Sequence, residues 1–260
     1  MSLSYEERKK TILERLAREE RLPVPVLAEA LNVSSETIRR DLERLEKEGK
    51  LKKVYGGAVL ARSDSWEPPF DKKTMINIKE KRAIGKLAAS LVEDGDVIML
   101  GNGTTPLELI RYLDGKKNVT LITHSAPAML LAIEVFKGRI IFIGGEVDVS
   151  QKSTHGPLSE LTLRHLKADK AFISAGGVSI IDGITDYDLN EAYMSHMLME
   201  RAEQLIVLAD HTKFGKTTLA HICSLKNVST LISDTYCPEE WKQTLAGQEI
   251  ELLLADKETV

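Results

Sequence analysis

Cysteine is scarce: the 260 residues hold only Cys223 and Cys237. Two thiols without metal-ligand spacing exclude a disulfide framework and fit a reducing cytoplasm. The six histidines form no H-E-x-x-H or comparable cluster, so neither a metal nor another cofactor is expected. No apolar run approaches the length needed to span a bilayer, and the first residues are charged rather than signal-like. A membrane partner is therefore not expected. What remains is an ordinary globular composition, 43% apolar and 28% charged, long enough for one large domain and one small one.

Charge is unevenly placed. Residues 1–62 carry 14 Lys and Arg against 11 Asp and Glu, a net of +3, whereas the remainder carries 21 against 28, a net of −7. A polyanionic partner would meet the head rather than the body. Within that head three helical patterns follow one another. Ile12, Leu13 and Leu16 stripe the first, Val26, Leu27, Ala30 and Leu31 the second, and Ile38, Leu42 and Leu45 the third.

Ser34 or Ser35 is a candidate N-cap for the third helix and Gly49 a candidate stop. The short turn "NVS" before it is what a helix-turn-helix requires, with one helix bracing while the next enters the major groove. Stepping 100° per residue from the apolar stripe points Glu36, Arg40, Glu43 and Lys47 outward, with Thr37, Arg39 and Arg44 on the flanks. Arginines there can read guanine or hold phosphate, and Glu36 can accept from cytosine. "KLKKVYGGAVL" then predicts a β-hairpin wing, with Lys52 and Lys53 toward the DNA backbone. A protein-interaction module with a solvated charged face is the competing reading of the same pattern.

Residues 61–73, with Pro68-Pro69, read as a linker between a 1–60 head and a 74–260 body, and Trp66 or Phe70 is placed to tack it down. Short apolar runs alternate with helical stretches through the body: "VIML", "VTLITH", "RIIFIGG", "KAFISAGG", "LIVLAD", "STLISD" and "IELLLAD". That alternation predicts a mostly parallel α/β sheet covered on both faces. Ligands of such sheets sit outside the carboxyl ends of the strands, where Gly, Thr, Ser, Asn, His and Lys gather here.

The turn "GNGTTPLE" after the first strand has two readings. Gly101 and Gly103 allow close backbone approach to a phosphate, while Thr105, Pro106 and Glu108 also spell a capping box.

The run from Arg8 to Leu42, "RKKTILERL" continued by "SSETIRRDL", resembles the helix-turn-helix signature of the DeoR family of bacterial transcriptional regulators, and "GKLKKVYGGAV" is similar to that family's wing. The resemblance implies a recognition helix containing Thr37, Arg39 and Arg40, and Ser35 at its start is counted with the DNA-binding residues. It continues through the body to about residue 234, including "EKRAIGKLAA", "DGDVIMLGNGTT", "GITDYDLNEA" and "LADHTKFGK". For this part the family implies a sensor of phosphorylated sugars or related metabolites, with a fold similar to ribose-5-phosphate isomerase and glucosamine-6-phosphate deaminase. On that reading Gly103, Thr104 and Thr105 cradle phosphate, with Asn102 in the same turn. Thr123, His124, Gly144 and Gly145 then line the pocket and Lys213 supplies a cation. The chain departs from the family pattern at Gly101, His124 and Ser195, where Asp, Asn and a basic residue are common.

These observations lead to a cytoplasmic DNA-binding regulator, a repressor of a sugar or related catabolic operon, acting on double-stranded operator DNA as a homodimer or homotetramer. Two alternatives stay open. One is an isomerase- or deaminase-like enzyme with a regulatory head, drawing a base from Asp182, Asp186, Asp188 or Glu191; the other is a regulator that has lost its small-molecule response.

Overall fold

The computed structural model describes residues 4–16, 19, 21–47, 50–54, 56–60 and 67–256, and divides into two compact units, Met1–Trp66 and Glu67–Val260. Gly49, Trp66 and residues 61–66 of the expected linker lie outside the described residues, as does the side chain of Lys52.

The first unit runs α1 (Tyr5–Leu16), β1 (Arg21–Pro23), α2 (Val24–Ala30), α3 (Ser35–Lys47), β2 (Leu51–Val54) and β3 (Gly57–Leu60). The apolar stripes meet as expected: Ile12, Leu16, Leu27, Leu31, Ile38, Leu42 and Leu45 form one core with Leu22, Leu51 and Ala58. Ser34, rather than Ser35, caps α3, its Oγ accepting from the Thr37 N–H at 3.1 Å. The hairpin β2–β3 is the wing. Strand β1, which no sequence pattern signalled, adds to its far edge in the antiparallel order β1-β3-β2.

The second unit begins with α4 (Phe70–Lys73), α5 (Ile78–Ser90), β4 (Val97–Leu100), α6 (Thr104–Leu109), β5 (Thr120–Thr123), α7 (Ala126–Val135) and β6 (Arg139–Phe142). It continues through β7 (Glu146–Asp148), β8 (Ser153–His155), α8 (Pro157–Arg164), β9 (Ala168–Ser174), β10 (Gly177–Ser179) and β11 (Gly183–Asp186). Last come α9 (Leu189–Glu200), β12 (Ala202–Leu208), β13 (Ala220–Cys223), β14 (Thr230–Asp234), α10 (Glu239–Ala246) and β15 (Glu251–Ala255).

Seven strands make one sheet in the order β15-β14-β12-β9-β4-β5-β6, every neighbouring pair parallel. These are the seven apolar runs of the sequence. Period-two alternation sends Ile98, Leu100, Phe172, Ile206 and Leu208 into one core with α5. Met99, Ala171, Ile173, Leu205 and Val207 enter a second core with α9 and α10. Beside the main sheet lie a small antiparallel sheet, β10-β11-β13, and the hairpin β7–β8.

Residues 67–73, expected as the end of a linker, belong to the second unit. Phe70 is the reason: it is 3% exposed, with the Lys73 and Lys152 ammonium groups 5.8 and 5.9 Å from its ring centroid. It therefore anchors α4 against the body. The strand order reverses between β9 and β4, and that switch point opens a crevice at their carboxyl ends.

Candidate effector site and DNA-reading helix

The crevice is a cleft of about 110 Å³. Its walls come from Gly103, Thr104 and Thr105 after β4, Ser174 and Ala175 at the end of β9, Asp186 and Tyr187 at the end of β11, and Asp210, Thr212 and Lys213 after β12. The chain entering the unit closes it with Glu67, Pro68, Lys73, Ile76 and Lys81. The structure thus brings together four of the sequence candidates, Gly103, Thr104, Thr105 and Lys213. It adds Lys73, Lys81, Asp210 and Glu67, which the sequence did not single out.

Local backbone explains the turn. Gly103 is the N-cap of α6 with φ +146°, and a Cβ there would stand 2.6 Å from Ser174 Oγ. The capping box does not form. Thr105 sits inside the helix, and the Glu108 carboxylate instead accepts from Arg111 Nε at 3.0 Å and lies 3.7 Å from Arg82 Nε. Thr104 and Thr105 hold first-turn positions, whose N–H groups have no intrahelical acceptor.

Lys81 is the most unusual group in the cleft. Its residue is 5% exposed, and its Nζ donates to the Lys73 carbonyl at 2.6 Å. Among the described residues no carboxylate lies within ion-pair distance of it. Burial pulls its pKa down to about 8; the Asp210 charge opposes this, while Lys213 and Lys73 reinforce it. Three ammonium groups therefore share one small space. Lys73 is paired with Glu67 at 2.5 Å, and Lys213 Nζ stands 5.8 Å from the Tyr187 ring centroid. Asp186 lines the same cleft. Burial, then the charges of Glu67 and Glu191, push its carboxyl up to about 7.

The other sequence candidates sit elsewhere. Asn102 forms a latch beside the turn: its Oδ1 accepts from Ser125 Oγ at 2.7 Å, and its Nδ2 donates to the Gln151 carbonyl at 3.0 Å. Thr123 is fully buried and donates to the Leu100 carbonyl at 2.8 Å. His124 is likewise fully buried, its Nε2 3.5 Å from Glu191 Oε2. Burial pushes the Glu191 carboxyl up, but His124, Ser153 and Asn102 favour its ionised form and bring it below the ordinary value.

Gly144 gives its carbonyl to Ser159 Oγ at 2.8 Å. Gly145, at φ +159°, lies so close to α8 that a Cβ would meet Ser159 Oγ. None of these five residues lines the cleft: they hold the turn, strand ends and a helix start in place. Gly101 takes its place in the sheet, its N–H donating to the Phe172 carbonyl at 2.9 Å, and Ser195 is buried on α9. Asp182 accepts from Thr217 Oγ1 at 2.7 Å, and Asp188 caps α9 through the Asn190 and Glu191 N–H groups. Neither is a free base. Cys223 and Cys237 are buried, which pushes their thiols up to about 12 and 11.

In the first unit Glu36, Arg39, Arg40, Glu43 and Arg44 are exposed on α3, and Ser35 and Thr37 are half-buried at its start. Glu36 lies 3.4 Å from Arg39 and 3.6 Å from Arg40, Arg44 stacks 4.4 Å from the Tyr5 ring centroid, and Lys53 pairs with Glu43 at 2.7 Å. The exposed face is thus a set of solvated, exchangeable charges that phosphates can recruit. Among the described residues no helix is long and apolar enough to cross a membrane, and no three His, Cys, Asp or Glu are grouped to hold a metal ion.

Residues 8–64 match the DeoR-like helix-turn-helix domain family and residues 76–235 the DeoR C terminal sensor domain family. The HTH-type transcriptional regulator GolR of Listeria innocua serovar 6a is 36% identical over 231 residues, 88% of this chain and 90% of its own. The transcriptional repressor AccR of Agrobacterium fabrum is 30% identical over 237 residues, 89% of this chain and 90% of its own. Ribose 5-phosphate isomerase A from Methanocaldococcus jannaschii is similar over 52% of this chain and 53% of its own, at 24% identity and a TM-score of 0.39. Both matched families are parts of regulators, and the reading as an enzyme with a regulatory head gives way to them. The chain belongs to the DeoR family of transcriptional regulators, with a helix-turn-helix for DNA and a sensor domain for a small-molecule effector.

Proposed function

We propose that this regulator is a repressor whose effector is a phosphorylated sugar or a related phosphorylated metabolite, bound in the cleft at the ends of β4, β9 and β12. The observation that carries the reading is the convergence of Lys73, Lys81 and Lys213, with Lys81 buried and bonded to a carbonyl rather than to a carboxylate. A buried ammonium is costly to maintain, and a phosphate entering the cleft offsets that cost with charge-assisted hydrogen bonds. The Thr104 and Thr105 N–H groups add neutral donors. Asp186, Asp210, Ser174 and Thr212 supply acceptors and hydroxyls suited to the rest of a polyhydroxylated ligand.

DNA is read from the exposed face of α3. Arg39, Arg40 and Arg44 supply charge, Ser35, Glu36 and Thr37 lie at the end that enters the groove, and Lys52 and Lys53 lie on the wing. The DNA-binding domain covers residues 1–60, and the effector domain starts at Glu67. Paired half-sites call for a symmetric homodimer or homotetramer. Effector binding favours one arrangement and lowers operator affinity. The AccR name supports the repressing sign. The test is to select a tight sequence from a random duplex pool with the full chain and then add sugar phosphates. Release of the duplex by one phosphate, and not by its unphosphorylated parent, supports the proposal. Release by none, or tighter binding, refutes the proposed sign and ligand.

A further inference from the structure

Glu67 is the first residue of the second unit, and its carboxylate already does in the cleft what an external anion would do. One oxygen accepts from Lys73 Nζ at 2.5 Å and the other from Gln151 Nε2 at 3.2 Å. The ion pair is shielded, its two side chains only 14% and 16% exposed. The Lys73 carbonyl in turn takes Lys81 Nζ at 2.6 Å, and Asp71 pairs with Lys152 at 2.5 Å. Gln151, Lys81 and Lys152 therefore pin residues 67–73 to the body, while the Glu67–Lys73 pair closes the segment's own two ends on each other at the cleft. The same residues are the chain's first step away from the DNA-binding unit.

Building on the phosphate reading, we propose that Glu67 is the internal occupant of the anion site. The effector's dianionic group displaces its carboxylate from Lys73 and so frees residue 67, where the chain leaves toward the DNA-binding unit, from the anchored α4.

Two physical consequences follow from a tethered competitor. The first is selectivity. Glu67 is held at high effective concentration by the chain itself, so a free monocarboxylate, bringing no more charge than it, competes only above that concentration. A phosphate monoester, carrying close to two charges at neutral pH, can. The ligand class is thereby narrowed to dianions. The second is coupling. Ligand and Glu67 exclude each other at Lys73, so occupancy of the cleft and the position of residue 67 relative to α4 are linked, and each biases the other by the same factor.

The chain carries its own reporter, because Trp66 precedes Glu67 and the only other tryptophan is the buried Trp241. In full-length Trp241→Phe, Trp66 emission is followed while inorganic phosphate or acetate is added, with thermal denaturation recorded in parallel. Should Trp241→Phe fold poorly, the difference between the parent chain and Trp66→Phe yields the same signal. Phosphate is expected to shift Trp66 emission saturably and acetate not to. Glu67→Gln is expected to bind phosphate about threefold or more tighter. Without phosphate it should already show the emission of the phosphate-saturated parent.

A thermal shift from phosphate that leaves Trp66 emission unchanged, with Glu67→Gln binding no tighter, overturns the displacement while leaving the phosphate site standing. No phosphate-dependent thermal shift in either chain removes the anion site itself, and this inference with it.

Discussion

Arg8 on α1 grips Asp41 on α3 through both carboxylate oxygens, Nε at 2.7 Å and Nη2 at 3.1 Å, with the two side chains only 11% and 8% exposed. The pair ties the first helix to the back of the helix that carries Arg39 and Arg40. Removing one partner strands a nearly buried charge, which typically costs about 3–5 kcal/mol. Arg8→Met is therefore expected to lower the unfolding free energy of the first unit, read from a denaturant titration, by an amount on that order. Asp41→Leu added to it should recover most of the loss. Equal destabilisation by the double variant would mean that the pair acts through packing alone.

Effector affinity should depend on pH through Lys81. Its ammonium is pulled down to about 8 by burial, so it is charged below that pH and neutral above it. A bound anion favours the charged form and raises the pKa again. Affinity is thus full below about pH 8 and falls above it, by up to about tenfold per unit. Calorimetric titration of an active sugar phosphate at pH 7, 8 and 9 checks this. Lys81→Arg, which stays charged, should flatten the profile.

Asp186 gives a stability signature of opposite character. Its carboxyl is raised to about 7 in the folded chain by burial and then by Glu67 and Glu191. The folded state therefore holds its proton more tightly than the unfolded state, and stability falls as pH rises from about 4 to 7. Asp186→Asn removes the titration while keeping an oxygen to accept from the Asp188 N–H, recorded at 3.3 Å. The variant should gain stability at pH 7, by on the order of a few kcal/mol, and none at pH 4. Thermal melts at the two pH values decide.

On the DNA side, Arg40 is the most exposed of the paired arginines, 78% open and 3.6 Å from Glu36. Arg40→Ala is expected to weaken a selected duplex and, if it holds phosphate, to reduce the slope of log affinity against log salt by about one. An unchanged slope with altered base preference would place Arg40 on a base edge instead. Arg44, stacked on Tyr5, should contribute less to the slope.

How much of this was legible beforehand depended on whether a residue's neighbours are close in sequence. The seven main strands were readable because each is apolar on both faces, the mark of a covered parallel sheet. The strands β1, β10, β11 and β13 were not. They are three or four residues long, and β10 and β11 carry the glycines that read as turn signals.

Within the site, Gly103, Thr104, Thr105 and Lys213 were legible because they stand in the loops after β4 and β12, where the family resemblance puts the pocket. Lys73 and Lys81 were not. Lys73 fell in a segment whose prolines read as linker, and only the burial of Phe70 shows otherwise. Lys81 stands in "IKEKRAIGK", where a lysine on a charged helix face reads as solvated; in the structure it is buried and its Nζ is taken by the Lys73 carbonyl, within residues that the sequence read as linker. His124 and Thr123 were placed in the pocket by the family resemblance, at the end of a strand. Strand-end position does not say which residues turn inward, and these two do.

The central claim is that the cleft senses a phosphate dianion through Lys81 and its neighbours. The most direct measurement is calorimetric titration of the full chain and of Lys81→Met with sugar phosphates and their unphosphorylated parents. The account requires saturable binding of at least one phosphate, no binding of its parent, and loss of affinity by about a hundredfold or more in Lys81→Met, as for one buried charge-assisted contact. Equal binding of phosphate and parent, or an unchanged affinity in Lys81→Met, would contradict it.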